Sequence, residues 1–325
     1  MKDYQYSVGV WAFGSCLDRF CESGYQKAGS FAQKVAAAAK VKGLAGLEIH
    51  YNGDFTKSTA AECRKIIEES GLQVAAVNCE IFGDPQFKKG ALISPVPETR
   101  QKAIDIIREA GEMAEYFAAS LVNIWPGADG FDYPFQIDYF SQWELLMDSV
   151  KQVISGNPRV KFSFEYKLRE PRIRSTVSTV GKALLITREA ACENAGVTLD
   201  FGHSLMAREN PADTAALLAR YEKLFHVHVN DNSRDWDDDL IVNTYHFWET
   251  LEFIYYLKKC DYQGWLGFDM SPKREDQIKA VEYSIATVKR MVEISENLDT
   301  QELQRAFHDT DALSAHQYIS QKILG

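Results

Sequence analysis

The stretch GVTLDFGHSLMARENPADTAALLARYEKLFHVHV, residues 196–229, contains one complete repeat of the fold. It starts with a short apolar run, 196–200, and ends with another, 224–229. Between them Asn210-Pro211 opens an amphipathic run to residue 222, with Asn as the helix cap and Pro at the first helical position. Strand, helix, strand is the pattern of a crossover between parallel strands. The same alternation extends both ways along the chain. Further strands are expected at 6–11, 45–50, 73–78, 120–125, 160–166 and 264–269. All are apolar and mostly unbroken, as strands covered on both faces should be. Amphipathic stretches near 30–42, 57–70, 97–118, 140–155, 177–194, 245–259 and 274–296 supply the helices. Gly43, Gly71 and Gly196 stand where helices should end.

Eight such units predict a closed (β/α)8 (TIM) barrel rather than an open doubly wound sheet. No G-x-G-x-x-G follows the first strand, which removes the main sign of a dinucleotide fold. With 325 residues, 46% of them hydrophobic, the chain is long enough for one barrel over 1–297 plus a C-terminal helical arm over 298–325. Leu303, Phe307, Leu313, Tyr318, Ile319 and Ile323 give the arm an apolar side. It is expected either to pack on a neighbouring subunit or to fold back on its own barrel.

The net charge is −10 and no Lys/Arg run forms a basic stripe, which argues against a nucleic-acid partner. Arg172 and Arg174 read as ordinary surface charge. The six cysteines include no C-x-x-C pair and read as thiols of a reducing compartment. The first residues lack the apolar core of a signal peptide, and no stretch reaches the length of a membrane span. A cytoplasmic protein with no membrane partner is the expectation.

In a barrel of this kind functional side chains lie at the C-terminal ends of strands. Those ends carry Trp11, His50, Asn78, Trp125, Glu165 with Lys167, Asp200 with His203, His228, and Asp269. Such groups are costly to bury alone, and a metal would satisfy most of them. Glu165, Asp200, His228 and Asp269 offer the oxygen and imidazole ligands that suit Mn2+ or Mg2+. Trp236-Asp237-Asp238-Asp239-Leu240 adds two carboxylates, so His203, Asp237 and Asp239 are candidates for a second ion. An extended loop would point Asp237 and Asp239 one way and Asp238 the other. Gly202 is expected to permit a turn between Asp200 and His203.

These blocks resemble the xylose isomerase family and, in the aspartate run, L-rhamnose isomerase. Glu165-Tyr-Lys167-Leu-Arg-Glu170-Pro171 is similar to E-x-K-x-x-E-P, and Asp200-Phe-Gly202-His203 to (E/D)-x-G-H. Phe225-His226-Val-His228-Val-Asn230 is similar to F-H-(I/V)-D-L-N, with His at the ligand position. Asp237-Asp238-Asp239-Leu240 resembles the D-x-D-L loop, and Gly267-Phe268-Asp269 the last ligand strand. Upstream, Gly9-Val-Trp11, Asp18-Arg-Phe20, Leu47-Glu-Ile-His50, the segment Phe82 to Gly90 and Trp125-Pro-Gly127-Ala-Asp129-Gly130 are similar to family motifs. The resemblance covers residues 7 to about 272. Two departures lie near the sugar. Gly53 falls near the place of the histidine's acidic partner, with Asp54 as substitute, and Met270-Ser271 stand where xylose isomerase has a lysine.

The resemblance implies an aldose–ketose isomerase that uses two divalent ions, Mn2+ first, Mg2+ or Co2+ otherwise. It makes Lys167, His50, Asp237 and Asp239 catalytic. It makes Trp11, Phe82, Trp125 and Phe20 of a neighbouring subunit contacts to the sugar, and His226 either a sugar contact or a group supporting the ligands. Glu170 and Asn230 become supporting groups, and the protein a homo-oligomer, dimer or tetramer. His246, His308 and His316 read as surface or helix positions. The rival activities are a one-metal ketose 3-epimerase, an abasic-site endonuclease and a non-catalytic sugar-binding barrel. The D-x-D-L loop, the acidic charge and Lys167 respectively argue against them.

Overall fold

In the computed structural model, which describes residues 4–170, 173–298 and 300–324, eight parallel strands close into a barrel. They are β1 Tyr6–Gly9, β2 Gly46–Tyr51, β3 Gln73–Cys79, β4 Leu121–Ile124, β5 Phe162–Glu165, β6 Ala195–Asp200, β7 Leu224–His228 and β8 Leu266–Phe268. Each pairs with the next in chain order, and β8 closes on β1. All eight expected strands are present. The first is shorter than expected: β1 stops at Gly9, and Trp11 lies in a tight turn of 3-10 helix, Val10–Phe13.

The outer helices are α1 Phe31–Ala38, α2 Ala60–Ser70, α3 Pro97–Phe117, α4 Tyr139–Gly156, α5 Val180–Ala190, α6 Pro211–Arg220, α7 Phe247–Lys259 and α8 Gln277–Glu296. Asn210 caps α6 as its sequence suggests, its side chain accepting the amides of Ala212 and Asp213. Gly71 ends α2 in the left-handed conformation, with φ of 76°. Gly196 does no such work: α5 ends at Ala191, itself left-handed, and Gly196 lies within β6. A small three-stranded sheet (Gly130–Phe131, Arg169–Glu170, Ile173–Ser175) is built from the segments that follow β4 and β5. Pro171 and Arg172 fall outside the described residues.

Beyond α8 the arm forms α9 Gln301–His308 and α10 Ala312–Leu324. It packs against α7 of its own chain. Leu303 and Ala306 are buried, the Phe307 ring meets Tyr255, and His316 meets Trp248. No helix among the described residues is long and apolar enough to cross a membrane.

The barrel interior is polar toward the upper, C-terminal end. Thr198 Oγ1 lies 2.7 Å from Asn123 Oδ1 and 2.6 Å from Ser163 Oγ. Asn123 donates to Asn78 and to Glu165. Such buried polar groups are tolerated because they satisfy one another.

Candidate metal centre

Four strand ends build the centre. Glu165 ends β5, Asp200 ends β6, His228 ends β7, and Asp269 follows β8. Asp200 pairs in register with His228, and His228 with Gly267, so the side chains meet at one level. One ligand-type atom from each of the four lies within 4.8 Å of all the others. His228 Nδ1 is 3.3 Å from Glu165 Oε1, 3.7 Å from Asp269 Oδ2 and 3.8 Å from Asp200 Oδ2.

The second oxygens are held from outside the group. Asn123 donates to Glu165 Oε2 at 2.7 Å, and Trp11 Nε1 to Asp269 Oδ1 at 2.8 Å. Asp200 caps the short helix Phe201–Met206 by accepting the His203 amide, and takes Asn230 Nδ2 on its other oxygen. Here the reason for Gly202 differs from expectation. It is helical, and glycine is needed for space: a Cβ would come within 2.6 Å of Asn230 Oδ1 and 2.8 Å of Asn232 Nδ2.

His203, Asp237 and Asp239 line the same cavity, of about 280 Å³. Asp237 sits between Lys167 Nζ, at 2.6 Å, and His203 Nε2, at 3.3 Å. Asp238 turns away and accepts from Ser233, as alternation suggests. The loop is not extended, however, because Asp239 has φ of 50°. Asp239 faces Ser271, whose hydroxyl is 3.4 Å away. Among the described residues these three do not form a gathered group as the first four do.

The cavity is strongly acidic. Burial pushes the Asp200 carboxyl up to about 7; His203 pulls it down, while Glu165, Asp237 and Asp269 add to the rise. Burial, then Asp237 and Asp269, raise Asp239 well above the carboxylate range, and burial also raises Asp269. Glu165 is held down at about 2, because His228, His203 and the Asn123 amide outweigh its burial. Burial works against the charge on Lys167 as well, but Asp237, Glu170 and Asp239 outweigh it and keep the ammonium protonated. The pocket thus holds more acid than its own bases neutralise. Two buried atoms, His203 Nδ1 and Asp237 Oδ1, have no hydrogen-bond partner. Oxygen and imidazole donors in excess, with orphaned lone pairs, fit divalent cations.

Aromatic rings wall the cavity. Trp11 meets His50 at 4.7 Å between ring centroids, and Phe82 meets Trp125 at 4.4 Å. Lys167 Nζ lies 4.8 Å from the centre of the Trp125 ring. His50 Nδ1 is 3.9 Å from Asp54, whose carboxylate instead accepts the His50 amide and pairs with Lys34. Glu170 pairs with Lys167, and Asn230 supports Asp200.

Two sugar-contact candidates do not line this cavity, and for Phe20 the expected place is the cavity of a neighbouring copy. His226, 1% exposed, is enclosed in the barrel below the cavity, where Nε2 meets Glu48 Oε1 at 3.0 Å. Phe20 is 79% exposed on the loop after β1, under Arg19. His246, read as a surface or helix position, stands at the N-cap of α7, tied into a network with Asp231 and Arg234. His308 is exposed as expected.

Glu48 is the group that sequence reasoning missed. It lies inside β2, 1% exposed, and contacts both His226 and His228. Burial opposes its charge, but His228 and His226 overcome this and hold the carboxyl well below its usual range. The available signal was a carboxylate within an otherwise apolar strand, which burial permits only with partners.

Comparison with known proteins agrees with this geometry. Residues 35–291 match the family described as xylose isomerase-like TIM barrel. The chain is 27% identical over 224 residues to xylose isomerase of Thermus thermophilus, covering 67% of this chain and 58% of that protein. It is 28% identical over 262 residues to a probable sugar isomerase of Mesorhizobium japonicum, covering 77% and 60%. The chain therefore spans about three fifths of the length of these relatives. Among solved structures, a D-tagatose 3-epimerase-like protein superposes with a TM-score of 0.69 at 18% identity, over 90% of this chain and 98% of that one. L-ribulose 3-epimerase gives a TM-score of 0.69 at 13% identity, over 92% and 99%. With four-fifths of its length matched and a closed barrel, the chain belongs to the xylose isomerase-like TIM barrel family.

Proposed function

We propose that the protein is a metal-dependent aldose–ketose isomerase acting on a free monosaccharide. The observation that carries this reading is the joint presence of the four-ligand group and the Asp237–Lys167 pair in one aromatic-walled cavity. Glu165, Asp200, His228 and Asp269 would hold one ion, and His203, Asp237 and Asp239 a second. When bound, divalent cations (Mn2+ first, Mg2+ or Co2+ otherwise) supply Lewis acidity at adjacent sugar oxygens.

The chain's own residues do the rest. Lys167, kept protonated by Asp237 and Glu170, donates to the carbonyl oxygen as negative charge develops there. His50, at the far wall, assists ring opening. Trp11, Phe82 and Trp125 exclude water, which strengthens the electrostatics within. A hydride passes from C2 to C1 while the C2 hydroxyl gives up its proton on the side of Asp237 and Asp239, and the O1 oxyanion, stabilised by Lys167, takes a proton back. The exposed Phe20 suits insertion into a neighbouring copy, so the working form is a homo-oligomer.

A ketose 3-epimerase is the second reading. It is favoured by one observation: among the described residues the four of the first site are gathered within ligand distance of one another, and His203, Asp237 and Asp239 are not. The deciding experiment is a screen of free pentoses and hexoses with each metal, read by ketose formation. Conversion of an aldose to its ketose is the expected result. Conversion of one ketose into another, with aldoses inert, would overturn the assignment.

A further inference from the structure

Glu48 receives four donors on its two oxygens. His226 Nε2 and Ser7 Oγ approach Oε1 at 3.0 and 3.1 Å. His228 Nε2 and Asn78 Nδ2 approach Oε2 at 3.0 and 3.4 Å. An ionised carboxylate accepts only, so this arrangement is satisfied when each imidazole presents Nε2–H. Space for the carboxylate is built in across the barrel. At Gly267 a Cβ would come within 2.2 Å of Glu48 Oε1 and 3.0 Å of His228 Cδ2. Nothing in the cavity wall needs Glu48, which lies behind the ligand group.

We propose that Glu48 is the positioning residue of the metal centre: by accepting Nε2–H from His226 and His228 together, it fixes the His228 ring with Nδ1 toward Glu165, Asp200 and Asp269. An imidazole binds a cation through one nitrogen, and the proton on the other decides which. With Nε2–H committed to Glu48, the Nδ1 lone pair is the one available to an ion. His226 acts as the counterweight. It satisfies the second oxygen and keeps a buried anion from turning toward His228 alone. A carboxylate behind a ligating histidine typically accounts for ~10–100-fold in metal affinity. The inference rests on the metal-site reading for its consequence, though not for the proton positions.

Glu48→Gln is the discriminating variant. The amide keeps the volume but has one acceptor and one donor group. One imidazole must then present a bare Nε2 to the amide and carry its proton on Nδ1. Nitrogen-15 NMR of histidine-labelled protein, metal-free and with Mg2+, should show protonated Nε2 on both residues in the parent. It should show one unprotonated Nε2 in the variant. Mn2+ affinity, measured by calorimetry, should fall about 10–100-fold in Glu48→Gln. Ser7→Ala, which removes a donor to the same carboxylate without touching an imidazole, should bind Mn2+ like the parent. A bare Nε2 on either histidine of the parent overturns the proposal, and this reading needs no variant to fold. Parent-like Mn2+ affinity in a folded Glu48→Gln protein also overturns it. If the parent binds no Mn2+ at all, the metal-site reading fails, while the proton positions still decide the role of Glu48.

Discussion

The Lys167 ammonium stands 2.6 Å from the Asp237 carboxylate, inside the cavity and almost fully buried. A buried lysine without partners would lose its proton, whereas this one is held protonated by Asp237 and Glu170. In the proposed mechanism it is therefore a fixed donor rather than a base. Lys167→Met should retain metal and sugar binding and lose turnover by ~10²–10³, the usual effect of removing one donor to a developing oxyanion. Steady-state kinetics with calorimetric metal binding check this, and near-parent turnover would remove Lys167 from the mechanism.

The two ligand sets should separate under mutation. His203→Ala or Asp239→Ala should reduce bound Mn2+ from two ions to one, because Glu165, Asp200, His228 and Asp269 remain gathered. Elemental analysis of the protein after saturation and desalting reads the stoichiometry. A single ion in the parent, or loss of both ions in either variant, would speak against two sites.

Asp129, on the loop after β4, ties down the backbone at residues 91–93. Its carboxylate accepts the amides of Ala91, Leu92 and Ile93, and it is fully buried. Burial raises it to about 6, and the three amides offset only part of that rise. The folded protein thus holds this proton more tightly than the unfolded chain. Its contribution is fully present below the unfolded value of about 4 and is lost as pH rises through 6. Two pH units of difference correspond to about 3 kcal/mol. Asp129→Asn removes the titration and should gain on the parent by roughly that amount between pH 4 and 6.5. Urea unfolding of both proteins across that range tests it. Parallel curves would show that Asp129 stays ionised when folded.

Much of the barrel was legible because strands covered on both faces are unbroken apolar runs, and their ends carry polar groups with no other reason to be there. Hence Glu165, Asp200, His228 and Asp269 could be read from position alone. Glu48 could not. It sits within a strand rather than at its end, and its partners His226 and His228 come from across the barrel. Gly202 and Gly267 look like turn or strand glycines in sequence, and only the packing shows the atoms that they make room for. The arm beyond residue 298 has an apolar stripe, but a stripe does not name the helix it will cover. In the structure that helix is α7 of the same chain.

Isotope exchange separates isomerase from epimerase. A 3-epimerase must take a proton from one face of a carbon and return one to the other, with a carboxylate on each side. The two carboxylates in that position would be Glu165 and Asp269. Each directs one oxygen into the ligand group, Oε1 and Oδ2, where His228 Nδ1 meets them. Each has its other oxygen engaged, by the Asn123 amide at 2.7 Å and the Trp11 indole N–H at 2.8 Å. Both are thus held in fixed orientations, which suits ligands better than groups that swing to carry a proton. A hydrogen that passes directly between C1 and C2 needs no such base and does not meet solvent. Turnover in D2O should therefore give an aldose–ketose pair with little deuterium at the migrating position, read by proton NMR and mass spectrometry of the product. Substantial deuterium at C3 of a C3-inverted ketose would establish the epimerase instead.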